Sequence, residues 1–323
     1  MTSLSPRHAA GSTGRGATHV LRGTDLGADA IREILAEAAD LKASLRRDPA
    51  AAASLLRGRS LVMLFEKPSL RTRVSFEIGM AKLGGTAVHL DHRAERLGVR
   101  ESVADYARNL ERWCDVIVAR VFEHATLEQL AEASSVPVVN ALSERFHPCQ
   151  ALADLLTLAE HGRPLGQASI AFVGDGNNVC HSLMETVAIL GGRFIAITPE
   201  SCRPDEQTIA ECRELAKASG AEILWSDDPS SVAGADAVYT DAWISMGQSD
   251  AHDKRGRLTP YRVDPALMRK AGPEALFMHC LPAHRGEEVL DEVIDSPASV
   301  VYDQAENRMH AQNALLVRLI GRG

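Results

Sequence analysis

Apolar residues fall in short runs of strand length, and stretches with apolar positions three to four apart separate them. Asp25 to Ala53, rich in Ala, Leu, Arg and Glu, has helical spacing and predicts one long helix or two short ones. The runs Leu61–Phe65, Thr86–Leu90, Val116–Val121 and Val136–Asn140 predict strands. Helices are predicted between them: one with Val74, Ile78, Ala81 and Lys82 in step that stops at Gly84-Gly85, one over Ser102–Arg112 and one over Thr126–Ala133. A helix over His147–His161 links this half to a second alternating run. The second run has strands at Ser169–Val173, Phe194–Ile197, Glu222–Leu224, Ala237–Thr240, Ala275–His279 and Val300–Tyr302, and a last helix over Ala305–Ile320.

Strand alternating with helix implies a parallel sheet covered on both faces. The expected fold class is therefore α/β, with two similar parallel-sheet, three-layer domains and a cleft between them. Residues 1–20 are expected to be a disordered extension, 21–146 the first domain and 147–302 the second. Residues 303–323 are expected to be a helix packing back toward the first domain. A length of 323 residues suits two domains of ordinary size.

Composition narrows the function. With 45% hydrophobic and 24% charged residues the chain is globular, and a net charge of -8 argues against a nucleic-acid partner. No apolar run has the length of a bilayer span. Cys114, Cys149, Cys180, Cys202, Cys212 and Cys280 include no CxxC pair, which fits reduced thiols and a cytoplasmic location. On so acidic a chain, arginines gathered in one loop suggest a small anion as ligand.

That loop follows the first strand: Lys67-Pro68-Ser69-Leu70-Arg71-Thr72-Arg73 carries two hydroxyls and two guanidiniums into a helix start. First-turn amides lack intrahelical partners and the helix dipole favours an anion there, while Arg offers bidentate geometry to phosphate. Ligands of open α/β sheets bind beyond the carboxyl ends of strands, and nearly every such end here is polar. The first half offers Arg120 and His147-Pro148-Cys149-Gln150; a turn apart, His147 and Gln150 suit paired recognition of a carbonyl. The second half offers Asp175-Gly176-Asn177-Asn178, Asp241-Ala242-Trp243-Ile244-Ser245-Met246-Gly247 and His279-Cys280-Leu281-Pro282, with Arg308 in the terminal helix.

Other readings of these residues are weaker. The glycine turn at Gly174 lacks the third glycine of a dinucleotide fingerprint, Val standing at position 179, so a nicotinamide oxidoreductase is not favoured. His279 lies next to Cys280 on a strand and so points to the other face, which makes it a poor base for a cysteine nucleophile. His279, Cys280 and His284 lack the usual spacing of metal ligands.

The five motifs, in this order and approximate spacing, resemble the carbamoyltransferases over a stretch from about Leu21 to the C-terminus. The Asp-x-Trp followed by Ser-Met-Gly resembles the ornithine branch in particular. The resemblance implies carbamoyl transfer from carbamoyl phosphate to the side-chain amine of L-ornithine, giving L-citrulline and phosphate. It also implies small-molecule partners only, no cofactor, no metal and a homotrimer. Carried over by position, carbamoyl phosphate would be held by Ser69, Leu70, Arg71, Thr72, Arg120, His147, Gln150, Cys280, Leu281 and Arg308. Of these, Arg71, Arg120, His147, Gln150 and Cys280 would serve the chemistry. Asn178, Asp241, Ser245 and Met246 would hold ornithine. Leu70 departs from the Thr or Met more usual in the family, which is harmless if the backbone N–H makes that contact. A carbamoyltransferase for putrescine or an N-acylornithine is the alternative, and the Ser-Met-Gly segment argues against it.

Overall fold

The structure, a computed structural model, describes residues 18–244 and 251–321. Its first half runs α1 (Gly27–Arg47), β1 (Ser60–Phe65), α2 (Leu70–Lys82), β2 (Thr86–Asp91), α3 (Val103–Leu110), β3 (Val116–Arg120), α4 (His124–Ala133), β4 (Val138–Leu142) and α5 (Pro148–Glu160). The second runs β5 (Ser169–Val173), α6 (Asn178–Leu190), β6 (Arg193–Ile197), α7 (Glu206–Ser219), β7 (Glu222–Ser226), β8 (Ala237–Thr240), α8 (Ala251–Leu258), α9 (Pro265–Ala271), β9 (Leu276–His279), α10 (Asp291–Ile294) and α11 (Val301–Ile320).

The strands form two parallel sheets, ordered β2-β1-β3-β4 and β7-β6-β5-β8-β9. Strands β1, β3, β5 and β8 read as near-continuous apolar runs because helices cover both of their faces, and nearly all their residues are buried. Each sheet reverses its winding direction once, between β1 and β3 in the first and between β5 and β8 in the second. Loops leaving the carboxyl ends of strands diverge at such points and leave a crevice. Register places Phe65 beside Arg120, so the loop after β1 and the last residue of β3 open onto the same crevice.

Two expectations are corrected. Val300–Tyr302 is not a strand; β9 gains only a bridge at Phe277 and Ser299, with Phe277 donating to Ala298 and Val300 donating back to Phe277. Helix α11 starts at Val301, four residues before the expected Ala305. The apolar pair Val300-Val301 fills the core beside β9, but Gln304, Arg308, Ala311 and Leu315 continue it at helical spacing, and that period prevails. The long N-terminal helix stops at Arg47, and Ala52 and Leu56 are buried from the turns that follow.

Helix α11 packs on α1, α2 and α5 and so reaches the first sheet's helices. Buried Lys42 ties α1 to it, donating to Asn307 Oδ1 at 2.7 Å, while Asn307 Nδ2 donates to Thr157 Oγ1 on α5 at 2.9 Å. The contact with α2 is close at Gly79, where a Cβ would lie 2.2 Å from Asn313 Oδ1 and that side chain would have to move. This close packing carries Arg308 to the arginine loop.

Candidate active site

Ser69 stands just before α2 in extended conformation, where a short hydroxyl side chain can cap the helix. Its Oγ accepts from Thr72 N at 3.3 Å and donates to Thr72 Oγ1 at 3.0 Å. The Leu70 side chain is 76% exposed, so this position can serve the loop only through its backbone N–H. Arg73 turns away to Glu77, 2.9 Å from its Nε. Arg71 is half-buried and has no hydrogen bond or ion pair among the described residues.

Two further guanidiniums, both buried, join Arg71. Arg308, on the second turn of α11, donates to Thr72 Oγ1 at 2.7 Å and to Gln150 Oε1 at 2.8 Å. Arg120 ends β3, and its Nε has no hydrogen-bond partner among the described residues. Burial, and then the charges of Arg308 and Arg71, push Arg120 down to about 9. Arg308 is lowered chiefly by its burial. Lys67 is buried as well, 4.5 Å above the Phe122 ring, and is lowered by burial and by Arg120. Among the described residues no carboxylate pairs with Arg71, Arg120 or Arg308. Crowded cations without a counter-charge are costly, so the cluster fits a site whose anion arrives as ligand.

His147 precedes α5, and its backbone N–H donates to Ser182 Oγ at 2.7 Å. Burial, then Arg308 and Arg120, hold the imidazole well below its ordinary range and keep it neutral, and Nδ1 has no partner among the described residues. A neutral ring of this kind can donate one N–H to a substrate oxygen. Gln150 is placed differently from His147: its oxygen accepts from Arg308 and its amide nitrogen donates to Asp154 at 2.7 Å. It backs the guanidinium instead of opening its amide beside the imidazole.

The second sheet contributes a carboxylate. Asp241, just past β8, accepts from Asn177 Nδ2 at 2.7 Å, from its own neighbour Ala242 N at 2.8 Å and from Cys280 Sγ at 2.9 Å. Burial and Asp241 push the Cys280 thiol up, so it is a hydrogen-bond donor and not a thiolate nucleophile. His279 points away, as expected for its neighbour on a strand, with Nε2 3.2 Å from buried Glu288. Leu281 has φ 56, the left-handed region, and its N–H reaches His279 Nδ1 at 2.8 Å. Asn178, first in α6, donates to Ser143 O of the first half at 2.5 Å. The charge of Asp241 acts on Arg120, so the contributions of the two sheets face one another. Ser245 and Met246 lie outside the described residues.

Three residues of this arrangement went unassigned in the sequence: Lys67, Asn177 and Asp154. Lys67 and Asn177 sit inside quoted motifs, but nothing in the pattern showed where they point. The glycine turn after β5 is occupied by the protein itself, Asp175 pairing with Lys254 Nζ at 2.8 Å.

Two parallel-sheet units, with cations on one crevice and a hydrogen-bonded carboxylate on the other, define an α/β enzyme that brings two charged substrates together. Family comparison agrees. Residues 18–160 match the model "Aspartate/ornithine carbamoyltransferase, carbamoyl-P binding domain" and residues 167–319 match "Aspartate/ornithine carbamoyltransferase, Asp/Orn binding domain". The chain belongs to the aspartate/ornithine carbamoyltransferase family. It is 54% identical over 280 residues to the ornithine carbamoyltransferase of Shewanella oneidensis, spanning 86% of this chain and 93% of that one. The solved ornithine carbamoyltransferase of Pyrococcus furiosus superposes with a TM-score of 0.90 at 46% identity, covering 94% of this chain and 97% of the other. That of Campylobacter jejuni, titled anabolic, gives 0.87 at 34% identity, covering 94% and 98%.

Proposed function

We propose that this enzyme transfers the carbamoyl group of carbamoyl phosphate to the side-chain amine of L-ornithine, releasing L-citrulline and phosphate. The observation that carries the reading is the cluster of Arg71, Arg120 and Arg308, which has no carboxylate in an ion pair among the described residues, with Asp241's charge acting on Arg120. The phosphate sits on the first-turn amides of α2, the Ser69 and Thr72 hydroxyls and Arg71. Arg120 spans phosphate and carbonyl, with His147 as a second donor to the carbonyl oxygen. Asp241 takes the α-ammonium of ornithine and Asn178 its carboxylate, while Cys280 and Leu281 close the pocket between the substrates.

The attacking amine must be neutral, although its reference pKa, like that of Lys, is about 10.4. Desolvation between the sheets favours the uncharged form. Its lone pair forms the C–N bond, and charge gathers on the carbonyl oxygen, where Arg120 and His147 donate. The C–O bond to phosphate then breaks, its electron pair leaving with the phosphate into the arginine loop, and the departing phosphate takes the proton that the amine loses. Donors fixed in advance cost no reorganisation as that charge develops, and holding both substrates removes much of the entropic barrier.

A citrulline-formation assay with ornithine, putrescine and N-acetylornithine in parallel tests the reading. Turnover is expected with ornithine alone; preference for either of the others would assign the enzyme to a different amine. The relatives named anabolic suggest a place in arginine synthesis. No described helix is long and apolar enough to cross a membrane, and all six cysteines are free, in keeping with a cytoplasmic enzyme.

The working form is proposed to be a homotrimer. Leu70, Val74 and Ile78 make an exposed apolar stripe at four-residue spacing along α2, and Val88 is exposed on the edge strand β2. This stripe begins inside the arginine loop, so a second copy seated on it would cover the phosphate site. Light scattering is expected to give three copies for the native chain and smaller species for Val74→Glu. An active native monomer would refute the trimer.

A further inference from the structure

Asp154 lies on α5 one turn beyond Gln150, with its side chain fully buried. One oxygen, Oδ1, accepts from Gln150 Nε2 at 2.7 Å and from Gln304 Nε2 at 2.8 Å. From there two chains of hydrogen bonds diverge. Gln150 Oε1 accepts from Arg308, which donates on to Thr72, itself bonded to Ser69 in the arginine loop. Gln304 Oε1 accepts from His279 N at 2.9 Å, just before Cys280.

An amide side chain can be turned either way round, oxygen for nitrogen, and neither glutamine fixes its own direction. The ends of the network do. Asp154 Oδ1 accepts whether the carboxyl is ionised or protonated on its other oxygen, and a guanidinium only donates, so Gln150 sets its NH2 toward Asp154 and its oxygen toward Arg308. We infer that Asp154 is a positioning residue for carbamoyl transfer: it anchors the amide of Gln150, and through it the aim of Arg308 at the phosphate loop. Without that acceptor the buried Gln150 NH2 has no partner, and the side chain shifts to find one, drawing its oxygen off Arg308 and the guanidinium off Thr72. Burial pushes the Asp154 carboxyl up to about 7 against the hydrogen bonds from Gln304 and Gln150, consistent with a dry site where such contacts are strong.

The inference rests on the carbamoyl-transfer reading, and the test separates the two. Residues that orient metal ligands by hydrogen bonds typically contribute 10- to 100-fold, and the same scale is expected for one that orients a guanidinium. Asp154→Leu is therefore expected to lower kcat/KM for carbamoyl phosphate by about 10- to 100-fold. Asp154→Asn, which keeps an acceptor oxygen, is expected to recover most of that loss. In a double-mutant cycle with Gln150→Leu, the pair should be no worse than Gln150→Leu alone, because Asp154 acts through it. If Asp154→Leu does not fold, Asp154→Val, closer to Asp in volume and likewise without an acceptor, replaces it in the cycle. Losses that multiply across the pair, or equal losses in the Asn and Leu variants, overturn the inference. A wild-type enzyme that forms no citrulline refutes the functional reading itself and the inference with it.

Discussion

Replacing Arg71 with alanine is expected to lower kcat/KM by on the order of 10³-fold while the protein stays folded. Loss of one preorganised donor to developing charge costs on the order of 10²–10³ in rate, and Arg71 also contributes to binding the doubly charged leaving group. Retention of the fold follows from its surroundings. Arg71 is half-buried at the head of α2, supports no other side chain and forms no hydrogen bond or ion pair among the described residues. Removing it also relieves repulsion at Arg120, where the Arg71 charge acts beside that of Arg308. The melting temperature should therefore hold or rise as turnover falls. Near-normal activity in Arg71→Ala would refute the phosphate role.

Asp241→Ala is expected to fail in a different way, impairing ornithine use by about 10²-fold and leaving carbamoyl phosphate binding close to normal. A hydrogen bond to a charged group is worth about 1.5–3 kcal/mol, the range from which that factor follows. Three groups now converge on the carboxylate, the Asn177 amide, the Ala242 N–H and the Cys280 thiol, so its direction is fixed before any ligand arrives. The variant also strands those donors, so a modest loss of stability should accompany the effect. Calorimetric titration of each substrate separates the two affinities. A variant that loses carbamoyl phosphate and keeps ornithine would reverse the assignment.

Much of the architecture was legible because a parallel sheet buried on both faces writes its strands as unbroken apolar runs. The loops at the winding reversals could be found for the same reason, since they follow those runs directly. Where two periods overlapped, the reading failed: Val300-Val301 is too short to tell a strand from the first turn of a buried helix. Side-chain direction was the harder matter. Arg71 and Arg73 look equivalent in sequence, yet one has no side-chain partner among the described residues and the other is spent on Glu77. The bond between Arg308 and Thr72 spans 236 residues, and only the packing of α11 on α2 brings them together. Gln150 was assigned to the right neighbourhood, but its amide serves Arg308 and Asp154, a geometry that no spacing rule encodes.

The most direct test is a crystal structure with a bisubstrate mimic in which a carbonyl group links a phosphonate to the side-chain nitrogen of ornithine. The phosphonate is expected on the α2 amides against Arg71, with its carbonyl oxygen between Arg120 and His147 and its amino-acid end at Asp241. A mimic bound elsewhere, or a crevice left empty at saturating concentration, would contradict the account.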